Sequence, residues 1–132
     1  MVEQDVTEKI AIALAEDNAD MRRLMVRLLD HLGYHVVCAA SNGAELLESC
    51  FEGKVDVVLV DLDMPLVDGL EAAEEISQKG IPVVLISGMP DSEYLVLEQE
   101  PITVRLSKPV TSEALQAAIQ MALDSGPPRK PR

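Results

Sequence analysis

Five times between residues 10 and 123 a short apolar run gives way to a stretch whose apolar residues recur at three- and four-residue intervals. The runs "IAIALA" (10–15), "HVVCA" (35–39), "VDVVLV" (55–60), "PVVLI" (82–86) and "TVRL" (103–106) read as strands, the first continuous enough to be buried on both faces. The intervening stretches read as helices. Asp17 or Asn18 can cap the first, Met21, Leu24, Met25, Leu28, Leu29 and Leu32 form its core stripe, and Gly33 closes it. A short helix over 44–51 follows Ser41-Asn42, and a third spans about 70–78, ahead of the breaker Lys79-Gly80. A weaker, acidic helix covers 91–98. The last opens near Thr111-Ser112 and puts Leu115, Ala118, Ile119 and Ala122 on one face.

Strict alternation of strand and helix predicts an α/β fold built on a five-stranded, doubly wound parallel sheet, although alternation alone leaves several strand orders open. Ligands of such sheets bind beyond the carboxyl ends of the strands. Residues far apart in sequence then meet at one edge: Glu16-Asp17 after the first strand, Asp61 and Asp63 after the third, Ser87-Gly88 after the fourth, and Lys108 after the fifth. The packed domain is expected over residues 10–123, behind an N-terminal extension at 1–9. The closing "DSGPPRKPR" (124–132) is basic and Pro-rich and reads as a disordered tail or linker.

Composition sharpens this picture in two places. With 48% hydrophobic but only 2% aromatic residues, the core must be aliphatic, which suits a parallel sheet covered by helices. The formal net charge of −12 argues against nucleic acid or an anionic membrane as a partner and fits a protein that holds divalent cations. Cys38 and Cys50 have no metal-site spacing and are expected to be reduced, half-buried packing residues of a cytoplasmic protein. No basic segment leads into an apolar one at the start, and no apolar run approaches the length of a membrane span.

The chemistry follows from the strand ends. Asp61 stands directly after an apolar run, where a carboxylate needs a reason to be buried. Several carboxylates at close range raise one another's pKa unless a cation sits among them, and an all-oxygen donor set suits a hard divalent ion such as Mg²⁺. Lys108 supplies a point charge and Ser87 a neutral hydroxyl for a second anion. Together they describe a phosphoryl site, in which a carboxylate can itself be the nucleophile and carry the group as an aspartyl phosphate.

The four segments "AEDN" (15–18), "VDLDMPLVDG" (60–69), "ISG" (86–88) and "SKP" (107–109) resemble the signature set of response-regulator receiver domains, and the similarity runs from about residue 10 to 123. The resemblance implies a flavodoxin-like fold with strand order 2-1-3-4-5 and a signalling switch in place of a turnover enzyme. It implies that Asp61 accepts a phosphoryl group from a phosphohistidine on a sensor histidine kinase or phosphotransfer protein. Glu16 and Asp17 would bind Mg²⁺ directly or through water, and Asp63 would contribute its backbone carbonyl. Lys108 would hold the phosphoryl oxygens, ahead of a Pro109 whose peptide is typically cis, and Ser87 would move toward the phosphoryl group on activation. Gly69 would permit the turn into the third helix, which Asp68 would cap. An output domain or downstream protein would read the face formed by residues 91–123.

The sequence departs from the family pattern at Arg105, where an aromatic is usual, and at Glu100-Pro101, where a Gly-Ala turn is usual. Met89 and Asp63 occupy positions where the family tunes dephosphorylation. Two alternatives compete. "DLD" also resembles the Asp-x-Asp of haloacid-dehalogenase-type phosphatases, with Asp61 as nucleophile and Asp63 as acid, but Pro65 stands where that family expects Thr or Val. A pseudo-receiver that only binds protein partners would tolerate Arg105 but would not need the full acidic and basic set. Gly33 separates His31 from His35, so both are expected at the surface, and Leu66 stands where a calcium loop requires glycine. A glycine-rich phosphate loop and a nucleophile elbow are both missing from the sequence.

Overall fold

The computed structural model describes residues 9–49, 53–61, 68–88 and 104–125. In chain order its elements are β1 (Ala11–Ala15), α1 (Ala19–His31), β2 (His35–Ala40), α2 (Gly43–Ser49), β3 (Val57–Asp61), α3 (Asp68–Gln78), β4 (Val83–Ser87), β5 (Val104–Ser107) and α4 (Ser112–Ser125). All strand pairs are parallel, and the sheet order is β2-β1-β3-β4-β5, as expected for a flavodoxin-like fold. The acidic helix expected over 91–98 lies outside the described residues, as do Asp63, Pro65, Met89, Glu100-Pro101 and most of both termini.

The three central strands are buried along their whole length, whereas β2 and β5, at the edges, alternate between covered and exposed positions. Successive side chains of a strand face opposite sides, so the central strands feed two cores. Ala13, Val58, Val60 and Leu85 pack with Leu46 of α2 and Ala72, Ala73 and Ile76 of α3. Ile12, Leu14, Leu59 and Val84 pack with Met25 and Leu29 of α1 and Leu115 and Ile119 of α4. Each fully buried Val, Leu or Ile side chain contributes about 1.5–3 kcal/mol, which favours the continuous apolar runs at the centre of the sheet.

Local signals fix the ends of α1. The Asn18 side chain accepts a 2.9 Å hydrogen bond from the Met21 N–H, so Asn18 is the cap and Asp17 is left available. At the other end Gly33, with φ +96°, donates to the Asp30 carbonyl, and the Tyr34 N–H donates to that of Leu29, each at 3.0 Å. This paired closure needs a left-handed residue, which glycine adopts without a Cβ penalty.

Several expectations shift. β3, β4 and β5 run one residue past their last apolar side chain, through Asp61, Ser87 and Ser107, because the ladder belongs to the backbone and ignores side-chain polarity. α3 starts at Asp68, two residues before the expected point, so Asp68 begins inside the helix and not ahead of it. α4 continues to Ser125, and Thr111 accepts from the Ala114 N–H at 3.1 Å as its cap. Met21 and Leu24 are 39% and 56% exposed, so the core stripe of α1 is narrower than the apolar pattern suggests.

The reduced state expected of the cysteines is overturned, since Cys38 is disulfide-bonded. The sequence's other cysteine, Cys50, lies outside the described residues. Spacing rules test only for local metal motifs, whereas a disulfide needs Cα atoms within about 7 Å, which tertiary packing supplies at any sequence separation. The inference of a reducing compartment from cysteine usage falls with it.

At the end of the sheet opposite Asp61, Asp56 clasps β1 to β3. Its N–H donates to the Ala11 carbonyl at 2.8 Å, and its side chain accepts the Ala11 N–H at 2.8 Å. The carboxylate is buried, with Lys54 Nζ 3.8 Å away. Removing the acceptor would strand a buried N–H, so Asp56→Ala is expected to lower stability by about 1–3 kcal/mol in urea unfolding, with Asp56→Asn retaining most of it. Equal losses in both variants would show that the charge, and not the clasp, matters.

Candidate functional site

The sheet order reverses at β1, which has β2 on one side and β3 on the other, and a crevice opens where the chains leaving β1 and β3 diverge. Ala15 is the register partner of Val60, so Glu16 and Asp61 come next on adjacent strands and leave the sheet side by side. Both are buried, at 6% and 3% exposure, while Asp17 is exposed. Carboxylate oxygens of Glu16, Asp17 and Asp61 lie within 4.8 Å of one another.

Two further strands supply the other charges. β4 pairs with β3 and ends on Ser87, which is fully buried. The Ser87 carbonyl accepts a 3.0 Å hydrogen bond from the Lys108 N–H, tying the chain after β5 to the end of β4. Lys108 then reaches across, and its ammonium donates to Asp61 Oδ2 at 3.2 Å. The Lys108–Pro109 peptide is cis.

Burial within this cluster bears most on Glu16. Burial pushes its carboxyl up to about 8, helped by a hydrogen bond with Asp61 and by that carboxylate's charge, while the Asn18 N–H and Lys108 pull the other way. A divalent cation among these carboxylates would pull that value back down. The three carboxylates at this spacing, open to solvent on the Asp17 side, fit a hard divalent ion with oxygen ligands and water.

A sequence profile described as the response regulator receiver domain matches residues 12–120. The chain belongs to this family. Receiver domains are generally signalling domains of two-component systems, and the family typically binds Mg²⁺. The transcriptional regulatory protein PdtaR of Mycobacterium tuberculosis is 32% identical over 114 residues, covering 85% of this chain and 56% of that protein. The transcriptional regulatory protein GlrR of Escherichia coli is 35% identical over 122 residues, covering 89% of this chain and 27% of that one. The chain thus spans about half or less of these relatives. The crystal structure of a response regulator receiver domain protein from Clostridium thermocellum superposes with a TM-score of 0.75 at 29% identity, covering 87% of this chain and 94% of that one.

Of the residues picked out in sequence, the strand ends bring together Glu16, Asp17, Asp61 and Lys108, with Ser87 tied to Lys108 through its carbonyl; Asp63 lies outside the described residues. Arg105 is exposed on β5, and His31 and His35 are exposed as expected. Two features escaped sequence reasoning. Met21, Leu24 and Leu28 line a groove of ≈ 220 Å³ with Ile86, Lys108 and Pro109, directly beside the site. Arg22 turns back from α1 to donate to the Glu16 carbonyl at 2.8 Å. Neither is marked by spacing, since apolar residues at helical intervals look alike whether covered or not, and a backbone carbonyl leaves no sequence trace.

The raised carboxyl of Glu16 links stability to pH. A group whose pKa rises on folding stabilises fully below its unfolded value, near 4.5, and loses that contribution as pH climbs through about 8. In EDTA, the urea midpoint of this domain is therefore expected to fall between pH 5.5 and pH 8, and Glu16→Gln is expected to flatten that fall. An equally steep decline in Glu16→Gln would assign the effect to other groups.

Proposed function

We propose that this receiver domain is a phosphorylation-dependent switch in which Asp61 takes a phosphoryl group from a phosphohistidine of a sensor histidine kinase or phosphotransfer protein. The observation that carries this reading is the convergence on Asp61 of Lys108, 3.2 Å from its Oδ2, and of the Glu16 and Asp17 carboxylates within 4.8 Å. An Asp61 oxygen attacks phosphorus in line, the phosphorus–nitrogen bond breaks, and the imidazole leaves with the electron pair. Transfer of this kind needs positioning and charge stabilisation more than covalent assistance. Lys108 stands ready to exchange its carboxylate partner for a phosphoryl oxygen.

Glu16, Asp17 and Asp61 would hold Mg²⁺, with the Asp63 carbonyl as an expected further ligand, and the ion would supply charge neutralisation for the phosphoryl oxygens. The apolar groove along Met21, Leu24 and Pro109 offers the donor protein a docking surface next to Asp61. Once formed, the phosphate adds about 1.5–2 negative charges and draws on Ser87 and Lys108, shifting a pre-existing equilibrium between surface states. An output domain or downstream protein would read that shift through the segment 91–123, of which residues 104–123 are described. The acidic balance of −12 argues against direct nucleic-acid binding by this domain. Among the described residues no helix is long and apolar enough to cross a membrane, and dependence on a kinase favours a cytoplasmic setting.

Incubation with acetyl phosphate and Mg²⁺ is expected to add a single phosphoryl group by intact mass, with no adduct in EDTA or in Asp61→Asn. Absence of an adduct in the wild type, or an undiminished one in Asp61→Asn, would overturn the proposal. Sustained release of phosphate from a generic phosphomonoester, lost in Asp61→Asn, would favour the phosphatase alternative.

A further inference from the structure

We propose that Arg22 is the positioning residue of this site: its guanidinium fixes the Glu16–Asp17 peptide in the orientation that lets both carboxylates meet Asp61, and so sets the affinity for Mg²⁺. The inference rests on the reading of the cluster as a Mg²⁺ site. Arg22 Nη1 donates to the Glu16 carbonyl at 2.8 Å in partly buried surroundings. The two residues are six apart and Glu16 lies ahead of the helix that carries Arg22, so this is not a pairing that helix geometry provides for itself.

The rest of the β1–α1 junction is already pinned. The Glu16 N–H donates to the Ala40 carbonyl at 2.9 Å, and the Asn18 N–H donates to Glu16 Oε2 at 3.2 Å. Asn18 in turn accepts from the Met21 N–H on its side chain and from the Arg22 N–H on its carbonyl, the latter at 2.8 Å. What these contacts leave open is the plane of the peptide between Glu16 and Asp17. Its carbonyl is the group that Arg22 holds, and an uncompensated change in the backbone torsions on either side of it would move Asp17 relative to Glu16. The same guanidinium is close enough to the start of α2 to help keep the Glu45 carboxyl below its usual range, after the Ser41 hydrogen bonds that do most of this.

Electrostatics and positioning predict opposite signs. A cation beside a cation site repels the incoming ion, so deleting Arg22 for its charge alone would tighten Mg²⁺ binding. If the hydrogen bond aligns the ligands, deletion weakens binding, and loss of such an outer contact typically costs about 10–100-fold in metal affinity. Arg23 is the internal control. It has the same charge on the same helix turn, is exposed, and pairs with Asp20 at 2.6 Å.

The test is a calorimetric titration of the unphosphorylated protein with Mg²⁺ alone. Arg22→Met is expected to raise the Kd about tenfold or more, Arg22→Lys to restore part of the loss through its remaining donor, and Arg23→Met to stay within about twofold of the wild type. Should Arg22→Met fail to fold, Arg22→Lys carries the test with a smaller rise in the same direction. An unchanged or lower Kd in the Arg22 variants, or an equal rise in Arg23→Met, would overturn the inference. A wild type that binds no Mg²⁺ would instead contradict the proposed function itself.

Discussion

The structure turns on one electrostatic constraint: two carboxylates, Glu16 and Asp61, are buried side by side at the ends of adjacent strands with a third, Asp17, at their edge. Left alone, such a group would repel itself and unfavourably desolvate charge. Among the described residues the fold answers with the Lys108 ammonium, 3.2 Å from Asp61, while burial pushes the Glu16 carboxyl up to about 8. Neither neutralises the cluster fully. The site is therefore held short of balance by the scaffold, a deficit that suits the divalent ion the family typically binds.

The scaffold can impose this because stability comes from elsewhere. Five parallel strands feed two aliphatic cores, one under α2 and α3 and the other under α1 and α4. The Asp56 clasp anchors β1 to β3 at the far end of the sheet. With the strands fixed there, Glu16 and Asp61 emerge in register with little freedom to move apart. The cap of α1 contributes to the same end: because Asn18 satisfies the helix terminus, Asp17 has no structural duty and remains available to the cluster.

Much of this was legible in the sequence. Apolar runs located all five strands to within two residues, and an aspartate at the end of one of them marked the site before any neighbour was known. That Lys108 meets Asp61 across 47 positions was not legible from patterning, because alternation does not set strand order; the family signature supplied it. Other features were invisible for physical reasons. Arg22 and Asp56 act on backbone groups, Met21 and Leu24 are exposed along the groove although they share the helical spacing of the core residues, and the Cys38 disulfide depends on how chain segments pack, not on their spacing.

The proposed switch requires that Asp61, and no other residue, be the acceptor. The direct measurement is to phosphorylate the protein with a histidine-phosphorylated phosphotransfer protein, reduce the acyl phosphate with borohydride, and map the product by peptide mass spectrometry. The account predicts conversion of the residue at position 61 to homoserine and of no other carboxylate, dependent on Mg²⁺. Homoserine at Asp17 or Asp63, 5-hydroxynorvaline at Glu16, or a phosphoryl group that survives borohydride on a hydroxyl or an imidazole, would contradict it.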